Sequence, residues 1–315
     1  MIRYRHFRNC DPPGIAEVWR SQPPVHGRMQ PLTPQLLEYQ IFSRIYFDPA
    51  GLIVAIDDER IVGVVHAGFG ASDDRRALDH ETGVVCQLLV APHAERDSIA
   101  RELLAQAENY LRLHGAKLIY GGGISPVNPF YLGLYGGSEL PGVLASDSQM
   151  LAAFGDGYQE IDRVIVFERE LATFRVPVDR RVMQVRRTYH MEATFDPPAA
   201  NWWEACTYGQ ADRTRFVLRP PRDTEVGCTV TFWDMEPLAS SWGVHAVGLV
   251  ELATAETLRR QGLAMFLVGE ALRQLHAHGV QRCQVQAMQS NTAALALYKK
   301  LGFAEIDRGI VLRKT

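Results

Sequence analysis

No CxxC pair occurs among the five cysteines of this 315-residue chain. Cys10, Cys86, Cys206, Cys228 and Cys283 are odd in number and scattered. That excludes a disulfide framework or a zinc knuckle and reads as reduced, mostly buried thiols. No apolar run reaches the roughly 20 residues that span a bilayer. An excess of one charge is lacking too: 33 Lys and Arg face 36 Asp and Glu, a net −3. Without a basic field, neither nucleic acid nor an anionic membrane is an expected partner. The opening MIRYRHFRNCDPPG has no apolar stretch of the kind a secretory leader needs, so a cytoplasmic location is expected. The phosphate-binding patterns GxGxxG and GK[ST] are both missing. His276 and His278 stand two apart near the end of a predicted helix, where they do not share a face. No metal is expected.

What the chain does have is a repeat. Its length exceeds what one core usually organises, so two domains are the prior. In the first half VVCQLLVA reads as a buried strand, followed by a polar loop, the helix SIARELLAQAENYLRLHG and the strand AKLIYGG. In the second half VHAVGLVELA, the loop TAETLRRQ, the helix GLAMFLVGEALRQLHAHG and the strand QRCQVQAM repeat that order. Each unit closes with a short helix, a Gly-Tyr or Gly-Phe pair and a last strand containing EIDR. Upstream, residues 2–8 read as a strand, 14–20 and 33–46 as helices, and 51–70 as a hairpin turning at DDER. In the second half RRVMQVRRTYHME reads as a strand, NWWEACTYG as a helix, and RTRFVLRP and VGCTVTFWDM as strands. Strands alternating with helices imply a mixed α/β sheet in each half. The linker is placed near Thr173–Asp179, giving units 1–173 and 179–315.

The chemistry concentrates in Arg259-Arg260-Gln261-Gly262-Leu263-Ala264, between a buried strand and a helix start. Free backbone N–H groups and the helix dipole favour an anion there. Gly262 and Ala264 keep bulk away, and the two arginines add charge. The physics is that of a pyrophosphate cradle; alone, the motif also fits a basic helix start.

Arg259-x-x-Gly262-x-Ala264 resembles the acetyl-CoA loop, Q/R-x-x-G-x-G/A, of the GNAT N-acetyltransferase family. The run from Asn291 through Tyr298 to Gly302-Phe303 resembles that family's second motif, N-x-x-A-x-x-x-Y-x-x-x-G-F. The resemblance covers the C-terminal half in element order. It implies two tandem GNAT domains, each a mixed, mostly antiparallel sheet flanked by helices. It further implies acetyl-CoA as co-substrate and a primary amine of a small molecule or peptide as acceptor. The fourth strand of the family splays from the fifth, so the pantetheine arm is expected along Leu252, Ala253 and Thr254. Asn291 is expected to cap the next helix and to reach the donor. Tyr298, two turns on, is the expected acid for the leaving thiolate, or else a core aromatic. Glu251 interrupts an apolar run: it is either the base that frees the amine or a residue paired with a structural arginine. Trp202, Trp203, Trp233 and Trp242 wall an acceptor pocket or pack the core.

In the first half Glu95 stands where Arg259 does and Ser98 where Gly262 does, while Ala153 or Phe154 replaces Tyr298. That unit reads as degenerate, an arrangement similar to tandem family members such as mycothiol synthase. It also carries an insertion, 125–142, rich in Gly, Pro and aromatics, expected to be an ordered loop with exposed rings. It either serves the acceptor or caps the other domain, or it fills the space of a lost cofactor. The enzyme reading is direct transfer in a ternary complex; the alternatives are a non-catalytic acyl-CoA sensor or transfer of another acyl group. A monomer or weak homodimer is expected.

Overall fold

β1 (Arg3–His6) lies antiparallel to β2 (Leu52–Asp57), which turns through Asp58 and Glu59, both at positive φ, into β3 (Arg60–Ala71). Such a turn matches the twist of the strands it joins. The computed structural model describes residues 1–208, 211–220 and 226–315. Between β1 and β2 run α1 (Pro12–Arg20) and α2 (Pro34–Leu37), the latter continuing into a wide turn at Glu38–Phe42. β4 (Leu78–Val90) pairs antiparallel with β3. α3 (Arg96–Leu113) then crosses to β5 (Leu118–Gly121), parallel to β4. The insertion, β6 (Val143–Leu144), α4 (Ser148–Phe154) and β7 (Gln159–Glu170) follow.

The second half begins with α5 (Arg180–Thr188), where the sequence reading placed a strand. The Asp179 carboxylate accepts from the Val182 amide at 2.8 Å, an N-cap that starts a helix of Arg, Met and Gln, all good helix formers. The strand, β8 (His190–Phe195), starts only after it. Next come α6 (Trp202–Tyr208), β9 (Arg213–Arg219), β10 (Cys228–Asp234) and α7 (Glu236–Trp242). The last residue of the predicted α6 segment, Gly209, lies outside the described residues. α7 had no counterpart in the sequence reading. β11 (Ala246–Thr254), α8 (Leu263–Ala277), β12 (Arg282–Met288), α9 (Thr292–Lys300) and β13 (Ala304–Lys314) complete the chain.

The strands form one continuous sheet in the order β1-β2-β3-β4-β5-β13-β7-β12-β11-β10-β9-β8, with β6 attached to β13. Each half's last strand sits beside the other half's: β13 pairs with β5, and β7 pairs with β12. Between them β13 and β7 pair antiparallel along most of their length. The cores follow the exchange. Leu312 of β13 packs in the first half's core, and Ile165 and Phe167 of β7 pack in the second's.

Candidate active site

Parallel pairing of β11 with β12 runs from Ala246↔Arg282 to Leu249↔Val285 and then stops. Beyond it the strands part, and β11 bulges: Thr231 of β10 faces Val250 and Thr229 faces Ala253, so Glu251 and Leu252 together oppose Val230. Glu251 carries a positive φ of 54°. Bulges of this kind re-aim a side chain and end pairing, and they gather at functional sites.

The parting strands enclose a cavity of about 350 Å³. Four residues singled out in the sequence line it: Glu251, Leu252, Asn291 and Tyr298. Asn291 caps α9, its side-chain oxygen accepting from the Ala294 amide at 3.1 Å. Tyr298 is buried between Phe167 and Phe303. Its hydroxyl makes no hydrogen bond among the described residues. Burial, with Glu139 and Cys283 nearby, pushes its pKa well above the ordinary phenol value, so it is a protonated donor at neutral pH. Glu251 is half exposed. It accepts from the Thr231 hydroxyl at 3.2 Å and lies 3.5 Å from the Arg215 guanidinium.

Ala253, Thr254 and the cradle residues do not line this cavity. Gly262 is the N-cap of α8 at φ +93°, a left-handed conformation that favours glycine, and no side chain caps the helix. Arg260, Gln261 and Leu263 line a second groove of about 400 Å³ shared with α5. Ala264 packs against the second core. Arg259 is 63% exposed and only 3.6 Å from Glu256, a weak surface pair that leaves it available to an anion. Arg181 of α5, missed from the sequence because its segment was read as a strand, donates to the Arg260 carbonyl at 3.2 Å. An uncapped helix start, a glycine and clustered arginines fit a pyrophosphate.

One wall of the cavity comes from the other half. Glu139, in the insertion, lines it beside Glu251 and Tyr298. The rings of that insertion are buried, not exposed as expected: Phe130, Tyr131 and Tyr135 are 3%, 5% and 1% accessible. Tyr135 fixes the loop to its own half, donating to Asp147 at 3.2 Å and accepting from the Leu144 amide at 3.0 Å. The next residues cross to the second half. Gln286 donates to the carbonyls of Gly136 at 3.0 Å and Glu139 at 2.7 Å, and Trp233 donates to the Ser138 carbonyl at 3.0 Å. Glu139 carries the only charge in 125–142, the one sequence signal that singles it out. Trp203 and Trp233 are buried; Trp242 stacks on His26 at 4.8 Å, and Trp202 packs near Trp203. None of the four lines this cavity.

The first half has the same parting strands, since β4–β5 pairing ends at Val85↔Gly121. There α3 begins at Arg96, with Glu95 as its N-cap, and the residues matching the cradle are wound into its first turn. The Arg96 guanidinium donates to the Val90 carbonyl at 2.8 Å, to Gln22 at 3.2 Å and to Gln149. A cavity of about 440 Å³ lies beside these groups, lined by Gln22, Val90, Arg96 and Gln149. Among the described residues no His, Cys, Asp and Glu group is arranged to hold a metal, and no helix is long and apolar enough to cross a membrane.

A model of the acetyltransferase (GNAT) family matches residues 15–135 and 181–303, once in each half and over more than half of the chain. A mycothiol acetyltransferase of Corynebacterium glutamicum (strain R) is 26% identical over 144 residues, 44% of this chain and 47% of that protein. The chain thus spans about half the length of that relative. Among solved structures, a tandem GNAT protein from the clavulanic acid biosynthesis pathway aligns over 99% of this chain and 98% of its own. Its identity is 15% and its TM-score 0.64. A GCN5-related N-acetyltransferase from Sphaerobacter thermophilus covers 99% and 95% at 14% identity, TM-score 0.64. The glucosamine N-acetyltransferase region of a fungal multi-domain GH3 beta-N-acetylglucosaminidase aligns over 99% of this chain and 38% of that one. Its identity is 17% and its TM-score 0.72. Matched by the family model in both halves, and folded like these solved structures, the chain belongs to the GNAT acetyltransferase family.

Proposed function

We propose that the chain transfers the acetyl group of acetyl-CoA to a primary amine of a small molecule or peptide, by direct attack in a ternary complex in the second half. The observation that carries this reading is the cavity between the parting β11 and β12, where Tyr298, Asn291, Leu252 and Glu251 converge. The uncapped, arginine-flanked start of α8 supports a place for the pyrophosphate, with Arg259, Arg260, Gln261, Gly262, Leu263 and Ala264 around it. The unpaired edge of β11 at Leu252, Ala253 and Thr254 supports a pantetheine running beside it.

In such a site the amine nitrogen attacks the thioester carbonyl; the C–N bond forms as the C–S bond breaks. Tyr298 gives its proton to the leaving sulfur and recovers one from the nitrogen through solvent. An alkylamine with pKa near 10.4 is about one part in 10³ neutral at pH 7, so a carboxylate has to take a proton before attack. Glu251 draws the ammonium into the cavity. The test is an amine panel with acetyl-CoA, read by release of free thiol. A chain that binds acetyl-CoA but releases no thiol with any amine above the rate of hydrolysis is the non-catalytic sensor instead.

A further inference from the structure

We propose that Glu139, delivered by the first half's insertion, is the base that takes the proton from the acceptor ammonium, while Glu251 holds that ammonium by charge. This deepens the acyl-transfer reading and rests on it. Glu139 and Glu251 line one cavity with Tyr298, so a cation between them meets two carboxylates and the thioester's proton donor together. They differ in what holds them. Glu251 already accepts from Thr231 and lies against Arg215. The Glu139 carboxylate accepts no hydrogen bond among the described residues; its backbone alone is tied, through Gln286.

Burial, with the charge of Glu251 beside it, pushes Glu139 up to about 7. The other groups facing it are neutral: Tyr298 of α9 and Tyr208 of α6 are both driven well above the ordinary phenol value by burial, with Glu139 contributing to each. Arg215 of β9 reaches the pair through Glu251. A base poised near working pH is the most effective kind. The step balances: R–NH₃⁺ and the Glu139 carboxylate become R–NH₂ and the carboxylic acid. The amine forms the C–N bond, and Glu139 loses its proton to solvent through the cavity once product leaves.

The placement depends on backbone geometry at Gly137, φ +116°, where an added Cβ would overlap the Gln284 side-chain oxygen. The left-handed backbone at this position favours glycine, and Gln284 would have to swing aside for any larger residue.

The test uses the full chain, acetyl-CoA and the fastest amine from a panel containing benzylamine, tyramine, spermidine and glucosamine. kcat/KM for the amine is followed from pH 5.5 to 9.5, and acetyl-CoA affinity by calorimetry. Wild type should show a limb with a midpoint near 7. Glu139→Gln should lose that limb and about 10²–10⁴ in rate at pH 7, recovering roughly tenfold per pH unit as free amine becomes abundant. Its acetyl-CoA affinity should stay within about twofold of wild type, and Glu139→Asp should restore part of the rate and the limb. Glu251→Gln should keep a limb, its midpoint moved below 7 because the neighbouring charge is gone, and raise KM for the amine. A Glu139→Gln profile that follows wild type overturns this proposal and leaves acyl transfer standing. Wild type that turns over no amine overturns the acyl-transfer reading and this proposal with it.

Discussion

Tyr298 is the proposed proton donor to the leaving thiolate. It was legible in the sequence from its place seven residues after Asn291, and its burial beside Phe167 and Phe303 keeps the hydroxyl protonated. Tyr298→Phe removes one oxygen without disturbing that packing. It should lower kcat by about 10²–10⁴ while calorimetry gives an unchanged acetyl-CoA affinity; an unchanged kcat would remove Tyr298 from the mechanism. His66 illustrates the opposite kind of buried group, one with no part in the reaction. It is fully buried in β3, its Nδ1 3.1 Å from the Tyr131 hydroxyl, and burial pushes its pKa down to about 3. In the unfolded chain a histidine titrates near 6.5. Below that pH the unfolded state binds a proton that the native state refuses, so stability is lost as pH falls from about 6.5 toward 3. His66→Asn should make the pH dependence of urea-unfolding free energy shallower by about 1.4 kcal/mol per pH unit in that window. An equal slope in the mutant would mean that His66 takes up its proton in the native state.

Among the elements, the start of α8 and the start of α3 differ at the place proposed for the pyrophosphate. Counted back from His278-Gly279 and His114-Gly115, the two helices match until the first turn, where α3 continues from Ser98 back to Arg96 and α8 stops at Gly262. A glycine at φ +93° ends one helix early and leaves its amides open; in the copy, Glu95-Arg96-Asp97 fills the same space with helix. Gly262→Glu places a charged side chain at a left-handed position, with its Cβ about 3.1 Å from that of Arg181. It should weaken acetyl-CoA binding by roughly 10- to 100-fold or more, since a carboxylate beside a phosphate costs about one to a few kcal/mol and the side chain adds bulk. Calorimetry on the mutant checks this, and binding that survives would put the pyrophosphate elsewhere.

For the whole molecule, the exchange of β7 and β13 makes each half complete the other's sheet. Residues 1–173 alone would leave β5 without β13 and β7 without either neighbour, exposing long edges of the kind that aggregate. The full chain should therefore unfold in one cooperative transition, with far-ultraviolet dichroism and tryptophan fluorescence coincident. Two separated transitions would mean the halves are independent. Because the first half has Glu95 and a helical turn where the second has Arg259 and the open start of α8, one acetyl-CoA per chain is expected. Two equivalent sites in a titration would contradict that arrangement.

The sequence by itself determined the repeat, the element order through most of each half, the cradle and the Asn291–Tyr298 helix. These are local: a glycine that ends a helix, a cap, a period of strand and helix are written in neighbouring residues. It misread 180–188, where Val182 and Val185, three residues apart, form the buried face of a helix that Asp179 caps and that packs on α8. It left open the meaning of the insertion, of Glu251 and of the tryptophans. Those depended on contacts between residues far apart in the chain: Gln286 holding Gly136 and Glu139, Trp233 holding Ser138, β13 lying beside β5. A carboxylate's chemistry is set by what surrounds it. Glu139 is an ordinary glutamate in its own segment and becomes a candidate base only where the two halves meet over Glu251 and Tyr298.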